Sequence, residues 1–330
     1  MTEGGPKMCS FRVDLDRLRD FDLGLNPWHP QQSRVPARIL GYGEISTVFE
    51  IHAEGLQGVA FKRMPIFNTG DEMDRYQTIY AEYNRLLDQE IGLRLPAYGS
   101  AAFKDAVFPV FYILQRQYPY ECIAHRAMHL LTEAEVRALV RAVLRDLRKV
   151  WEFNRRQRDI QVGIDGQLSN WAIEGFEPER PRLSEPVSLV YLDTSTPLFR
   201  AHGVEQLDTE LFLRSAPSFL VWILRLLYVK DVVNRYYDFR LVAMDLIANL
   251  YKEQCPQWVP GATAEANDFF ANEAADFQVK PIAEAEVRSY YREDAMIWSL
   301  YLSMRKVDRF LRTKVLHTGY PYVLPEEVKR

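Results

Sequence analysis

Gly41-Tyr42-Gly43-Glu44-Ile45-Ser46-Thr47-Val48 places two glycines where one β-type run gives way to the next. Residues with high strand propensity flank the stretch on both sides, at Val35–Ile39 and Val48–His52. Glycine has no Cβ, so a turn of this kind lets backbone amides approach the oxygens of a phosphate group. An ordinary β-hairpin has the same pattern and is the commoner explanation of this motif taken alone.

A short β-type run, Val59–Arg63, follows this hairpin and contains Ala60-Phe61-Lys62. Side chains alternate between the two faces of a strand, so Ala60 and Lys62 share one face. A small side chain leaves room for a flat base, and the ammonium group two residues later can reach phosphate oxygens. A strand with one solvent-facing lysine explains the tripeptide alone more simply. Lysine is scarce, at 10 of 41 basic residues, so a motif that requires it is less often met by accident.

An amphipathic helix is predicted over Glu72–Gln89, because apolar and aromatic residues recur there at spacings of three and four. Glu82 lies on this helix, twenty residues after Lys62. A carboxylate so placed can hold a phosphate-binding lysine and keep it charged. Taken alone, Glu82 is more simply a surface residue. A further strand is predicted at Val107–Gln115, which completes a strand-rich first half with one helix.

Acidic and amide side chains mark two loops of the second half. Asp165-Gly166-Gln167-Leu168-Ser169-Asn170 precedes β-type residues at Trp171–Ile173, and Asp193 follows the hydrophobic run Val187–Leu192. An aspartate and an asparagine five residues apart can place a carboxylate near an attacking hydroxyl and an amide oxygen on a metal ion. An aspartate at a strand end can bind the same Mg²⁺. Each residue alone is more simply explained as a loop former.

The rest of the second half is helical by pattern. Thr132 and Glu135 form a capping box ahead of Val136–Phe153, where one face is apolar. The opposite face is predicted to be solvated and carries Arg137, Arg141, Arg145 and Arg148. Aromatic residues at helical spacing are predicted to line the core or a substrate cleft, among them Tyr236, Tyr290 and Trp298. Further long helical patterns are found at Thr209–Tyr228, Val232–Cys255 and Ile282–Leu316.

The order of these motifs resembles that of the protein-kinase-like fold. The motifs are a glycine-rich hairpin, an Ala-x-Lys strand, a helical glutamate, an Asp-x-x-x-x-Asn loop and a strand-end aspartate. The resemblance spans about Ile39–Thr194 and is nearest to the small-molecule kinases, such as aminoglycoside phosphotransferases and choline and fructosamine kinases. It implies an α+β, two-lobed fold, with an antiparallel sheet and one helix in the N-terminal lobe and a mainly helical C-terminal lobe. The chain would divide into an N-terminal extension at 1–30, a nucleotide-binding lobe at 31–119 and a helical lobe at 120–330.

The resemblance also implies roles for individual residues, with ATP and Mg²⁺ as cofactors. Asp165 would be the catalytic base or would orient the hydroxyl, Glu82 would orient Lys62, and Asn170 and Asp193 would bind Mg²⁺. The hairpin would cover the triphosphate, and backbone groups between the lobes would meet the adenine edge. The nucleotide-binding residues would be Gly41, Gly43, Ser46, Val48, Ala60, Lys62, Gln115 and Gln117.

The chain departs from the family pattern at several positions. Gly163-Ile164 replaces the His or Arg that usually precedes the catalytic aspartate, and Thr194-Ser195 follows Asp193 in place of Phe-Gly. No Ala-Pro-Glu segment follows, which favours a small-molecule acceptor over a protein. Three alternatives follow from the sequence: a phosphotransferase that acts on a hydroxyl, a nucleotide-binding or scaffolding pseudokinase, and nucleotidyl transfer by the same fold.

Composition is that of a globular chain of 330 residues, with 48% hydrophobic and 26% charged residues. The formal net charge of -4 argues against a nucleic-acid partner. Three widely separated cysteines predict neither a disulfide framework nor a zinc site, and no secretory signal or membrane span is predicted. The sequence therefore predicts a cytoplasmic protein that meets no membrane, and it leaves a protein partner open.

Overall fold

The computed structural model describes residues 13–43, 45–104, 109–208, 210–213, 233–315, 317, 320 and 322–324. Its N-terminal lobe is an antiparallel five-stranded sheet in the order β1-β2-β3-β5-β4. The strands are β1 (Ala37–Tyr42), β2 (Thr47–Ile51), β3 (Val59–Met64), β4 (Tyr98–Phe103) and β5 (Val110–Arg116). The helices of this lobe are α1 (Leu15–Leu23) and α2 (Gly70–Arg85).

Each face of the sheet is covered by one helix. Leu18 and Phe21 of α1 belong to one buried cluster together with Phe49 of β2. Tyr76 of α2 packs in a second cluster against Phe111 of β5, with ring centroids 5.2 Å apart. Because strand side chains alternate, the sheet buries apolar residues on both faces and still leaves Ala60 and Lys62 at the edge of a cavity.

The C-terminal lobe is mainly helical, with short strands near its junction with the sheet. Its helices are α3 (Ala124–Ala127), α4 (Glu133–Arg156), α5 (Glu210–Leu213), α6 (Phe239–Lys252), α7 (Val259–Asn272) and α8 (Glu284–Phe310). Its strands are β6 (Ile160–Val162), β7 (Trp171–Ile173), β8 (Leu189–Tyr191), β9 (Phe199–Ala201) and β10 (Val204–Glu205), paired as β10-β9-β6 and β7-β8. The predicted two-lobed α+β fold is confirmed.

Helix α4 is the central element of the helical lobe. The predicted capping box is confirmed, since the Thr132 amide donates to the Glu135 carboxylate at 2.9 Å and the Glu135 amide donates to the Thr132 hydroxyl at 3.4 Å. The predicted apolar face is fully buried at Leu139, Val140, Val143, Leu144, Leu147 and Val150. The start and the buried face of this helix are therefore both local properties of the sequence.

The arginine face of α4, in contrast, is not simply solvated as predicted. Arg137 donates to Glu265 of α7 at 3.0 and 3.1 Å, and Arg141 bridges Glu265 and Glu273. Arg145 completes the row by donating to Glu273 at 2.7 Å. The row joins α4 to α7, a helix that the sequence did not predict because Pro260 and Gly261 lie in its first turn.

Replacing Glu265 with alanine is expected to lower the free energy of unfolding by about 1–3 kcal/mol, because two arginines then lose a largely buried partner. Asp268→Asn is the matched control, since Asp268 contacts Arg141 from an exposed position and its loss should cost less than about 0.5 kcal/mol. Urea denaturation measures both values. Equal effects in the two variants would contradict a structural role for Glu265.

Other differences from prediction have local causes. Strand β4 was not predicted. The helix expected over Val232–Cys255 is interrupted, since residues 233–235 are helical, 236–238 are not, and α6 begins at Phe239, where the Asp238 carboxylate caps the Leu241 amide at 2.9 Å. The helix predicted over Thr209–Tyr228 lies outside the described residues apart from α5. Within the described ranges, no helix combines the length and the apolar character needed to span a bilayer.

Candidate active site

A cavity of about 920 Å³ lies between the sheet and the helical lobe, near the upper end of the size range of small-molecule sites. Both lobes line it. Of the twelve predicted site residues, all except Glu82 lie on its wall: Gly41, Gly43, Ser46, Val48, Ala60, Lys62, Gln115, Gln117, Asp165, Asn170 and Asp193. The structure thus brings together residues from five separate segments, while their chemical roles stay predictions.

The β1–β2 hairpin forms one wall of the cavity. The Gly43 amide donates to the Ser46 carbonyl oxygen at 2.9 Å, which closes the turn. A Cβ at position 43 would lie 2.7 Å from the Ser46 hydroxyl oxygen, a close approach that rotation of the Ser46 side chain relieves. Gly41 has open space around it and lies at an irregularity in the pairing of β1 with β2. Gly43 therefore lies in the more crowded position of the two glycines, and neither is demanded by packing within the hairpin.

Lys62 forms a compact polar cluster with Asp193 and Ser195. Its ammonium donates to Oδ1 of Asp193 at 2.7 Å and to Oγ of Ser195 at 2.5 Å. The Ser195 hydroxyl donates in turn to Oδ1 of Asp193 at 2.7 Å. Burial alone would raise the pKa of Asp193, but the Lys62 ammonium outweighs it and holds this pKa below its ordinary value. The cluster therefore holds a charged carboxylate at the cavity.

The predicted pairing of Glu82 with Lys62 is wrong. The Glu82 carboxylate accepts two hydrogen bonds from Arg85, both at 2.8 Å, one turn along the same helix. The face of α2 that meets the sheet carries Tyr76 and Tyr80, and Glu82 lies about 200° around the helix from Tyr80. Helix α2 instead reaches the Lys62 cluster through Tyr76, whose hydroxyl donates to the Ser195 carbonyl oxygen at 2.7 Å.

Asp165 and Asn170 lie on the loop before β7, beside the Asp193 segment. The Asn170 amide group donates to the Asp165 carbonyl oxygen at 3.3 Å, and the Leu192 amide donates to the Asn170 carbonyl oxygen at 2.8 Å. These bonds tie the two acidic loops together. Burial, followed by the negative charge of Asp193, raises the pKa of Asp165 to about 6. A carboxyl group with that pKa can accept a proton near neutral pH.

The donor set at this position fits a magnesium ion that is also held by phosphate oxygens. Among the described residues, no group of three or more His, Cys, Asp or Glu side chains could hold a metal ion. Mg²⁺ is commonly held by one or two side chains together with substrate phosphates and water. Lys62 and Ser195 both donate to Oδ1 of Asp193. Oδ2 of Asp193 and the side-chain amide oxygen of Asn170 are therefore suited to bind a magnesium ion that phosphate oxygens and water also hold.

The predicted contacts of backbone groups near Gln115 and Gln117 with an adenine edge stay a prediction, although some polar groups of these residues already have partners within the protein. The Gln117 amide donates to the Gly58 carbonyl oxygen at 2.9 Å, so it is already used within the N-terminal lobe. The side chain of Gln115 donates to the Leu192 carbonyl oxygen at 2.8 Å. Both residues line the cavity, but their polar groups mainly join β5 to its neighbours. A ligand edge would have to meet other backbone groups of this segment.

The helical lobe contributes a further acidic position, beyond Asp165 and Asp193, that the sequence analysis missed. Asp245 of α6 accepts a hydrogen bond from the Gln167 side chain at 3.0 Å, and Gln167 accepts one from Lys252 at 2.9 Å. Burial, followed by the charge of Asp165, raises the pKa of Asp245. A signal was present, because Asp245 is the one charged residue within the apolar run Leu241–Leu250.

Aromatic side chains enclose this end of the cavity. Tyr236, Tyr290 and Trp298 all lie on its wall, which confirms that these aromatic residues form core or cleft surface. The contribution of α8 was not predicted as part of a site. Helix α8 contributes Asp294 and Tyr301 to the cavity wall. Only tertiary packing brings this late helix to the cleft.

Fold and site together define a two-lobed α+β protein: a sheet with a glycine-containing hairpin, a helical lobe, and a lysine and two aspartates at the seam. The chain belongs to the family described as "Family of unknown function (DUF6206)", whose model matches residues 31–309. No curated protein matches the chain. A solved structure titled "WaaP in complex with acyl carrier protein" is similar at 11% identity and a TM-score of 0.31, over 70% of this chain and 89% of that chain.

Proposed function

We propose that this protein transfers a phosphoryl group from ATP to a hydroxyl group of a small molecule, with Mg²⁺ as cofactor. The observation that carries the proposal is the meeting of Lys62, Asp165 and Asp193 at one cavity beneath a glycine-containing hairpin. Lys62 and Asp193 are 131 residues apart in sequence, so only a specific fold puts them 2.7 Å apart. We further propose that the protein is related to the small-molecule kinases and that it is located in the cytoplasm.

The residues of the cavity supply the charges that phosphoryl transfer needs. Such transfer depends mainly on positioning and on neutralising phosphate charge, and the Lys62 ammonium is suited to that task. Asp165 would accept the proton of the attacking hydroxyl, because its carboxylate is the more basic of the two at the seam. Asn170 and Asp193 would hold Mg²⁺, which would supply positive charge against the phosphate oxygens.

A thermal-shift titration with ATP, with and without Mg²⁺, tests nucleotide binding. At about 100 times the dissociation constant, Mg·ATP should stabilise the protein by about 2.7 kcal/mol and raise Tm by about 4 °C. ATP without metal should give a clearly smaller shift. An equal shift without metal, together with no ADP formation over a panel of hydroxyl compounds, would contradict phosphoryl transfer. Mass spectrometry of a modified acceptor distinguishes an added phosphoryl group from a nucleotidyl group.

A second candidate, a nucleotide-binding module without turnover, is favoured by one observation. Lys62 is paired with Asp193 and not with a glutamate of α2, so the pairing that the family resemblance implies is replaced. Gly163-Ile164 before Asp165 points the same way. The measurement of ADP formation decides between the candidates, because a module of this kind binds nucleotide without forming ADP.

The rate of phosphoryl transfer is expected to fall at acid pH with a midpoint near 6. Asp165 must be ionised to accept a proton, and its pKa is raised to about 6, so kcat/KM should drop about tenfold per pH unit below that value. The measurement is kcat/KM between pH 4.5 and 8 with Mg²⁺ held in excess. A midpoint near 4, the ordinary aspartate value, would contradict Asp165 as the base.

A further inference from the structure

Three tyrosines lie along the inner face of α2, at Tyr76, Tyr80 and Tyr83, and all three are fully buried. The first two pack in the cluster under the sheet, and Tyr83 packs in the core of the helical lobe. Seven residues of an α-helix turn through about 700°, so Tyr76 and Tyr83 project from almost the same side of α2, about 10 Å apart. Two side chains of one helix can therefore reach two different segments of the helical lobe.

The Tyr76 hydroxyl reaches the segment that carries Asp193. It donates to the Ser195 carbonyl oxygen at 2.7 Å, two residues after this aspartate. The amide and the hydroxyl of Ser195 donate in turn to Oδ1 of Asp193, at 3.2 and 2.7 Å. Helix α2 is thus linked to the Asp193 carboxylate through one intervening residue, Ser195.

The Tyr83 hydroxyl reaches the segment that carries Asp165. It donates to the Gly163 carbonyl oxygen at 2.9 Å, two residues before this aspartate. The Gly163 amide donates to the Leu198 carbonyl oxygen at 2.9 Å, and a Cβ at position 163 would lie 3.1 Å from the Tyr236 carbonyl oxygen. The glycine that departs from the family pattern is therefore held closely through its backbone, and Tyr83 supplies one of the contacts.

Tyr76 and Tyr83 hold the backbone and do not touch a ligand. Neither tyrosine is among the described residues that line the cavity. Burial raises the pKa of both hydroxyl groups well above the ordinary tyrosine value, so each keeps its proton and remains a hydrogen-bond donor at neutral pH. Two neutral donors that bind backbone carbonyl groups can fix the positions of the neighbouring aspartates, but they exchange no proton with a substrate.

We propose that α2 sets the relative position of Asp165 and Asp193 through Tyr76 and Tyr83, which are positioning residues for phosphoryl transfer. This role rests on the proposed function, since a base and a metal ligand act together only when both are in place. An error of about 1 Å in the position of a reacting group can lower a rate about 100-fold. The two hydrogen bonds themselves are present without turnover, so their effect on each segment can be measured separately.

Hydrogen–deuterium exchange of the ligand-free chain, followed by mass spectrometry, tests the two contacts without any reaction. Tyr76→Phe should raise the exchange rate at residues 193–198 about fivefold, and Tyr83→Phe should do the same at residues 163–170, the scale of losing one hydrogen bond. Each substitution keeps the buried ring, and each variant is the control for the other at the segment that it does not contact. Unaltered exchange at either segment in its own variant would overturn the proposal.

Initial rates over a range of ATP concentrations test the link to the chemistry. Tyr76→Phe and Tyr83→Phe should each lower kcat about tenfold and leave KM for ATP within about twofold, because the side chains of the cavity wall remain while the aspartates shift. Tyr80→Phe is the matched control, since Tyr80 lies between the two on α2 and its hydroxyl donates to no backbone carbonyl of either segment. Both constants of this control should stay within about twofold.

The two measurements separate the positioning role from the proposed function. Faster exchange at both segments in a chain that forms no ADP would contradict phosphoryl transfer and still support the contacts of α2. An active chain in which both phenylalanine variants keep the unaltered kcat would overturn the positioning role. So would an equal loss of kcat in Tyr80→Phe, which would indicate a general loss of packing. Thermal unfolding of each variant verifies that it is folded.

Discussion

Asp193→Asn is expected to lower the rate of Mg·ATP-dependent phosphoryl transfer about a thousandfold, the scale of losing one well-placed electrostatic group in an active site. The carboxylate accepts hydrogen bonds from Lys62 at 2.7 Å and from Ser195 at 2.7 and 3.2 Å, and it lies on the cavity wall. Asparagine keeps the size but removes the charge that would hold the cation. The loss should therefore appear mainly in kcat and in the dependence on Mg²⁺ concentration.

Two controls separate chemistry from folding in that experiment. Asp88→Asn removes one acidic group from an exposed position near the end of α2 and should leave the rate within about twofold. Thermal unfolding of Asp193→Asn should show a folded protein, because the lost charge is replaced by a group that can still accept from Lys62. A folded Asp193→Asn variant with the unaltered rate would exclude Asp193 from the proposed mechanism.

Lys62→Met is expected to reduce phosphoryl transfer by about 10²–10³-fold, because a neutral side chain of similar length cannot neutralise phosphate charge. The substitution also leaves Asp193 without its ammonium partner, so the pKa of Asp193 should rise. Weaker ATP binding and slower turnover should therefore appear together. Initial rates at several ATP concentrations measure both quantities.

Glu82→Gln is the informative comparison for Lys62→Met. The Glu82 carboxylate binds Arg85 and lies off the cavity wall, so its neutralisation should change the rate by less than about threefold. Equal, large losses in both variants would mean that Glu82 reaches Lys62 in the working state, as the family resemblance implies. That outcome would contradict the arrangement of α2 described above.

Local patterns in the sequence were sufficient for much of the fold. The hairpin, the strand that carries Lys62 and the capped helix α4 each depend on neighbours within about twenty residues. Strand alternation, a small-residue turn and a capping box act over that range. Strand β4 and α7 escaped prediction because Gly99 and Pro260-Gly261 weaken the local signal. Packing against β5 and α4 overrides that weakness.

The sequence by itself determined which residues could carry charge at the site, and it placed Lys62, Asp165 and Asp193 in the order that suggests phosphoryl transfer. Only the tertiary structure decided their partners. Motif spacing cannot show which way a helix is rotated, and the rotation of α2 turns Glu82 toward Arg85 and Tyr76 toward Ser195. Contacts between distant segments likewise brought Asp245 and the inner face of α8 to the cavity, since burial of apolar surface, and not local propensity, sets how helices dock.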